Sequence, residues 1–245
     1  MKVFAHRGAS GYAPENTIEA FQLAIDHHAD GVELDIHLTR DKQLIVTHDE
    51  RIERVSDGNG LVAMMSLKDL KKHLFNKTHP EYREARAPTL EEVLELLEPT
   101  GLQVNIELKN SRIPYEGMEE LCLELVERTG MGERVVYSSF NHHSMAFIKR
   151  LNPRAVCGLL YDCCLKNPAG YLKMVGADAL HPHFSDVLLH PEEYAAFMQA
   201  GGLVHVWTVN DDRDMRKVLD AGANIIITNY PDRAVALRNE YSHTV

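Results

Sequence analysis

The chain has 245 residues, 44% of them hydrophobic, with 36 acidic against 26 Lys and Arg side chains and a formal charge of −10. That length suits one α/β barrel with a sizeable core. The acidic balance excludes nucleic acid or an anionic membrane surface as the main partner, because nothing supplies a counterion-releasing basic face.

Short β-rich runs alternate with helix-period runs along the chain, and no low-complexity linker interrupts them. The expected strands are 2–6, 31–38, 44–48, 103–108, 134–139, 155–160, 179–183, 203–209 and 224–228. After the first, Asn16 with Glu19 three residues later resembles a capping box, and Ile18, Phe21 and Ile25 share a helix face. Thr89 with Glu92 repeats the signal ahead of Leu90, Val93, Leu94 and Leu97. Pro191 suits a first helical turn and Gly201-Gly202 a stop. Asp211 and Asp214 open a helix carrying Met215, Val218 and Leu219, and 231–240 closes the series.

Nine strands exceed a barrel of eight, and the connections identify the extra one. Only Thr39 to Gln43 separates 31–38 from 44–48, too few residues for a parallel crossover, so this pair is an antiparallel hairpin. The remaining eight strands, each followed by room for a helix, define a (β/α)8 TIM barrel. The long interval 49–102 reads as a small insertion after the hairpin within a single barrel spanning 1–245.

Active sites of such barrels lie where strands end. Here the strand ends carry His6-Arg7, Glu33-Leu34-Asp35, Thr47-His48-Asp49, Glu107-Leu108-Lys109, Ser138-Ser139-Phe140, Trp207-Thr208-Val209-Asn210 and Thr228-Asn229. Side chains two apart on a strand share a face, so Glu33 pairs with Asp35 and Glu107 with Lys109. Neither face of a parallel barrel strand is solvated, so acids alternating along one point to a site. Three converging carboxylates repel one another; a hard divalent cation removes that conflict, and an all-oxygen donor set suits Mg2+ or Ca2+. His6 and His48 each end a strand, where an imidazole can act as general acid or base. Arg7 and Lys109 supply positive charge suited to phosphate oxygens. His27, His28, His142 and His143 read as surface residues, and His181, His183 and His205 as structural.

Taken in order, His6-Arg7-Gly8, Pro14-Glu15-Asn16-Thr17, Glu33-Leu34-Asp35, Thr39-Arg40-Asp41, His48-Asp49, Asn105 to Lys109, Trp207 to Asn210 and Thr228-Asn229-Tyr230-Pro231 resemble the glycerophosphodiester phosphodiesterases. The resemblance runs from residue 3 to about 235 and is nearest the short soluble bacterial-type members. It implies a metal site at Glu33, Asp35 and Glu107, an acid/base pair at His6 and His48, and phosphate contacts at Arg7 and Lys109. It also implies that Trp207 lines the pocket against the glycerol carbons. The implied reaction is metal-dependent hydrolysis of a small-molecule glycerophosphodiester to sn-glycerol 3-phosphate and an alcohol. Lysophospholipase D-type cleavage of lysophospholipids at the same site is the alternative, with Leu61, Val62, Met64 and Met65 as a source of an apolar channel. Asn229 departs from the family's usual acid, which fits a supporting or loop-capping role and leaves it outside the expected site.

The four cysteines, Cys122, Cys157, Cys163 and Cys164, lack zinc-type spacing and read as thiols of a reducing compartment. The five-residue apolar run at the start is too short for a signal peptide, and no stretch reaches the length of a membrane span, so the expected location is cytoplasmic.

Overall fold

The computed structural model describes residues 1–242. Eight parallel strands close into a barrel: β1 (Lys2–His6), β2 (Gly31–Leu38), β4 (Gln103–Leu108), β5 (Val135–Ser139), β6 (Val156–Tyr161), β7 (Ala179–Pro182), β8 (Leu203–Val206) and β9 (Ile225–Thr228). Parallel pairing of β1 with both β2 and β9 closes the ring. The ninth strand, β3 (Leu44–Val46), pairs antiparallel with β2, as the short connection requires. Around the barrel lie α1 (Ile18–Asp26), α3 (Leu90–Leu97), α4 (Met118–Arg128), α5 (His142–Leu151), α6 (Pro168–Val175), α7 (Phe184–Leu189), α8 (Pro191–Gln199), α9 (Asp212–Asp220) and α10 (Pro231–Ser242), while α2 (Leu67–Leu70) belongs to the insertion.

β2 shows how the sequence builds both a core and a site. All eight of its residues are buried. Val32, Leu34, Ile36 and Leu38 join the main apolar core between sheet and helices. The alternate residues Glu33, Asp35 and His37 therefore point into the barrel. Truncating Leu34 to Ala would cost about 2–5 kcal/mol, because a fully buried side chain leaves a cavity. Strand β4 repeats the pattern, with Val104, Ile106 and Leu108 in the core and Asn105 and Glu107 inward.

Several boundaries differ from the sequence expectation, and those at the site matter most. β3 stops at Val46 and β8 at Val206, so His48 and Trp207 stand on loops just beyond their strands. The α1 cap is Thr17, whose hydroxyl accepts from the Ala20 amide; Asn16, at φ 58°, has its side chain engaged elsewhere. Thr89 and Glu92 do form a capping box, but α3 packs into the barrel core, so the added segment ends before residue 89. That segment packs Ile52, Val55, Val62, Leu70, Phe75 and Ala87 into a small cluster on Ile45 of β3, with Met65 and Leu67 against it.

Candidate active site

Strand register assembles the site. β1 against β2 aligns His6 with Glu33. β2 against β4 aligns Glu33 with Asn105 and Asp35 with Glu107. One ligand oxygen from each of Glu33, Asp35 and Glu107 falls within 4.8 Å of the others. A cavity of about 70 Å³ opens here, lined by His6, Arg7, Glu33, His48, Glu107 and Lys109, with Phe140 and Trp207 as its aromatic wall. A larger cavity, about 540 Å³, surrounds His205 at the opposite end of the barrel and shares no residue with this cluster.

Directly after β1 the chain turns sharply, with Arg7 at φ 56° and Gly8 at φ 78°. A Cβ at Gly8 would sit 2.5 Å from the Ala20 backbone, so only glycine fits between the turn and α1. The turn sends Arg7 back across the acids. Its Nε lies 3.2 Å from Asp35 Oδ2 and its Nη1 2.9 Å from Glu15 Oε1. Lys109 Nζ lies 2.7 Å from Glu107 and 3.7 Å from Asp35.

The carboxylates are set apart by their surroundings. Burial would raise Asp35, but the facing Arg7 guanidinium, helped by His48 and Lys109, outweighs it and holds the carboxyl below its ordinary range. Asn16 Nδ2 donates to Asp35 Oδ2 at 2.8 Å. Glu33 goes the other way, raised by burial and then by the charges of Asp35 and Glu107. Glu107 is raised chiefly by burial too, although the Lys109 ammonium beside it pulls down. Asp35 Oδ1 is buried and accepts no hydrogen bond. An orphaned carboxylate oxygen between two acids of raised pKa fits a hard divalent cation.

Both histidines are oriented through Nδ1. His6 Nδ1 donates to Asn229 Oδ1 at 2.7 Å, which leaves Nε2 as the free acceptor, 3.9 Å from Glu33. Burial, with Arg7 adding to it, pushes the His6 imidazole down to about 3, so it is neutral at physiological pH. His48 Nδ1 donates to Asp49 Oδ1 at 2.7 Å, and that bond, with help from Arg54, holds Asp49 well below the usual carboxylate range. His37, fixed by the Tyr115 hydroxyl on Nδ1, donates from Nε2 to the His48 carbonyl at 3.0 Å. Arg54 then ties the set together, meeting Asp49 at 2.5 Å and Glu15 through two bonds of 2.8 Å.

The structure thus brings every expected site residue to one cavity, except that Asp35 lies beneath it. Trp207 is half-buried, its indole N–H donating to the His181 carbonyl at 2.8 Å and its ring edge-on to Phe140. Residues at the site that were not expected there include Asn229, Glu15, Arg54 and His37, with Asn16, Asp49, Asn105 and Phe140 beside them. His37 had a signal, the same two-residue spacing that links Glu33 and Asp35. His181 and His205 are buried with ring centroids 4.5 Å apart, and neither ring nitrogen of His181 has a hydrogen-bond partner. His142 is less superficial than read, being held between Tyr171 and the Leu160 carbonyl.

A closed (β/α)8 barrel with acids, histidines and basic side chains at its strand ends defines a class of enzyme rather than a binding scaffold. The profile of the glycerophosphoryl diester phosphodiesterase family matches residues 6–233. A glycerophosphodiester phosphodiesterase of Caldanaerobacter subterraneus subsp. tengcongensis is 38% identical over 236 residues, covering 96% of each chain. One of Bacillus altitudinis is 38% identical over 243 residues, covering 98% of each. Among solved structures, an Oleispira antarctica phosphodiesterase in complex with the product sn-glycerol-3-phosphate superposes with a TM-score of 0.89 at 28% identity, covering 98% of this chain and 97% of that one. This chain belongs to the glycerophosphodiester phosphodiesterase family and is a phosphoric diester hydrolase. Among the described residues, no helix is long and apolar enough to cross a membrane.

Proposed function

We propose that the enzyme hydrolyses glycerophosphodiesters to sn-glycerol 3-phosphate and an alcohol, by acid/base catalysis from His6 and His48. One divalent cation, Mg2+ or Ca2+, is held by Glu33, Asp35 and Glu107. The observation that carries this reading is the meeting of three buried carboxylates with a neutral, Nδ1-anchored His6 in one cavity. When bound, the cation neutralises the acids and supplies Lewis-acid stabilisation of charge on the phosphoryl group.

The side chains divide the remaining work. His6 presents an unprotonated Nε2 and takes a proton from the attacking oxygen. His48, oriented by the Asp49 carboxylate on its Nδ1, delivers a proton to the leaving alcohol. Arg7 and Lys109 bind phosphate oxygens, Arg7 through its fork and Lys109 as a point charge. Glu15 and Asp35 hold the Arg7 guanidinium in place before substrate arrives, which lowers the entropy cost of binding. Trp207 and Phe140 pack against the glycerol carbons. The product bound to the Oleispira antarctica relative supports glycerol 3-phosphate as the product here.

The insertion offers little to a lysolipid chain. Val62 and Met65 are spent in its own cluster, and only Met64 stands well exposed, at 66%. We read 1–245 as one barrel with this insertion as part of it, and the four free thiols as fitting a cytoplasmic enzyme.

The test is product analysis with glycerophosphocholine by phosphorus NMR. Choline with glycerol 3-phosphate is the expected pair. Phosphocholine with glycerol, or faster cleavage of lysophosphatidylcholine than of glycerophosphocholine, would overturn the reading.

A further inference from the structure

A second group of ligand-type side chains lies away from the barrel acids. Cys164, on the loop between β6 and α6, meets Asp186 in α7 and His190 at the end of that helix, with one ligand atom from each within 4.8 Å of the others. Asp186 is 6% exposed, yet its Oδ1 accepts no hydrogen bond. Its other oxygen is fixed: Tyr194 donates to Oδ2 at 2.6 Å, and the Tyr194 hydroxyl is itself 2.7 Å from that of Tyr161. His190 Nε2 stands 3.6 Å from the orphaned Oδ1. A buried carboxylate held by a two-tyrosine relay thus turns its remaining oxygen toward the Cys164 thiol, which interacts with it, and the His190 imidazole.

We propose that Cys164, Asp186 and His190 form a binding site for a thiophilic divalent metal of the Zn2+ type. Sulfur, nitrogen and one carboxylate oxygen are the donor set such ions prefer, whereas the all-oxygen cluster in the barrel suits hard cations. The two sites therefore sort metals by donor softness. Two bonds of about 2.0–2.3 Å at a tetrahedral angle bring ligand atoms to roughly 3.5 Å. Cys164 is exposed and the His190 side chain is 46% exposed, so rotation of these two closes the gap while Asp186 stays put. Water completes the coordination. Binding costs the Cys164 thiol its proton, released to solvent as the sulfur–metal bond forms. The tyrosine relay orients the carboxylate, as outer-shell partners do in metal centres. The bound ion would fasten the loop after β6 to α7 on the face where strands end. The ligands escape a spacing search because Cys164 is distant in sequence from the Asp186–His190 pair.

The test uses Co2+ as probe, because thiolate ligation gives a near-ultraviolet charge-transfer band that oxygen ligands do not. The expected result is a band that saturates at one equivalent per chain, is displaced by Zn2+, and is lost in Cys164→Ser. His190→Ala should weaken Co2+ binding by at least about tenfold, the lower end of what a lost metal contact costs. Glu107→Gln should leave the band intact, separating this site from the barrel cluster. Both Cys164 and His190 are exposed, so these variants keep the fold; circular dichroism checks it. Absence of the band in the wild-type enzyme, or a band that survives His190→Ala unchanged and so reflects Cys163 and Cys164 alone, would overturn the proposal.

Discussion

Asn229 and His6 are 223 positions apart, yet the Asn229 side-chain oxygen sits 2.7 Å from His6 Nδ1 and fixes which imidazole nitrogen is free. The Asn229 backbone N–H donates in turn to Asn210 Oδ1 at 2.9 Å, which fixes the chain that carries the acceptor. An amide oxygen selects the same tautomer as a carboxylate would, without adding a fourth negative charge beside Glu33, Asp35 and Glu107.

Removing that acceptor should disorder the imidazole without removing it. Asn229→Ala should lower kcat roughly 10- to 100-fold, part of the 10²–10⁴ that acid/base catalysis contributes, with KM little changed. Asn229→Asp should keep most of the activity, because it keeps an acceptor for Nδ1–H. Steady-state kinetics of both variants check this; equal losses in the two would mean that Asn229 is needed for something other than accepting from His6.

His6→Ala and His48→Ala should each lower kcat by about 10²–10⁴, and the double variant should lose little more, because the two groups act as a unit. Thermal melts of the same proteins separate lost chemistry from lost folding. A double variant retaining substantial turnover would contradict the acid/base assignment.

Metal removal should act on stability as well as rate. Without a cation, Glu33 and Glu107 remain buried among like charges, so adding Mg2+ or Ca2+ to chelator-treated protein should raise Tm in a concentration-dependent way. Glu107→Gln removes one charge and one donor, and should shrink that increment. Calorimetry showing the same increment in Glu107→Gln as in wild type would place the stabilising ion elsewhere.

The insertion should matter through Arg54, which bridges Asp49 behind His48 and Glu15 behind Arg7. With its side chain 46% exposed, the pairs themselves contribute less than about 1 kcal/mol to stability. Arg54→Ala should nevertheless lower kcat/KM about tenfold, because on the proposed roles of His48 and Arg7 small displacements of either cost rate. Unchanged kinetics in this variant would reduce Arg54 to a surface ion pair.

Acid should erase what Asp49 contributes. Its folded pKa is depressed, first by the His48 bond and then by Arg54, against about 3.9 in an unfolded chain. The stabilisation is therefore complete above pH ~4 and is lost as pH falls toward the folded value. The difference in Tm between wild type and Asp49→Asn should be positive at neutral pH and shrink below pH ~4. A difference that stays constant through that range would show that the Asp49 charge is not what stabilises.

What the sequence discloses follows physical range. The barrel and its hairpin were legible because connection length decides parallel from antiparallel pairing. The acids were legible because Glu33, Asp35 and Glu107 alternate with core residues on strands that no solvent reaches. Asn16 was misread as a cap because an Asn beside a Thr offers two equally good capping groups, and only the folded position of Asp35 decides between them. Arg54 is invisible because its bonds to Glu15 cross 39 residues, and Glu15, although part of the Pro14-Glu15-Asn16-Thr17 motif, carries no role until Arg7 and Arg54 are seen to meet it. Asn229 lacks the charge that marks a site residue in a sequence, yet its side-chain oxygen meets His6 Nδ1.

The most direct test of the account is release of sn-glycerol 3-phosphate from glycerophosphocholine by the purified enzyme, with chelator, and then with Mg2+ or Ca2+ restored. Activity that disappears with chelator, returns with either ion, and fails to return in Glu107→Gln is the predicted result. Full turnover in the presence of chelator would contradict a metal-dependent mechanism at Glu33, Asp35 and Glu107.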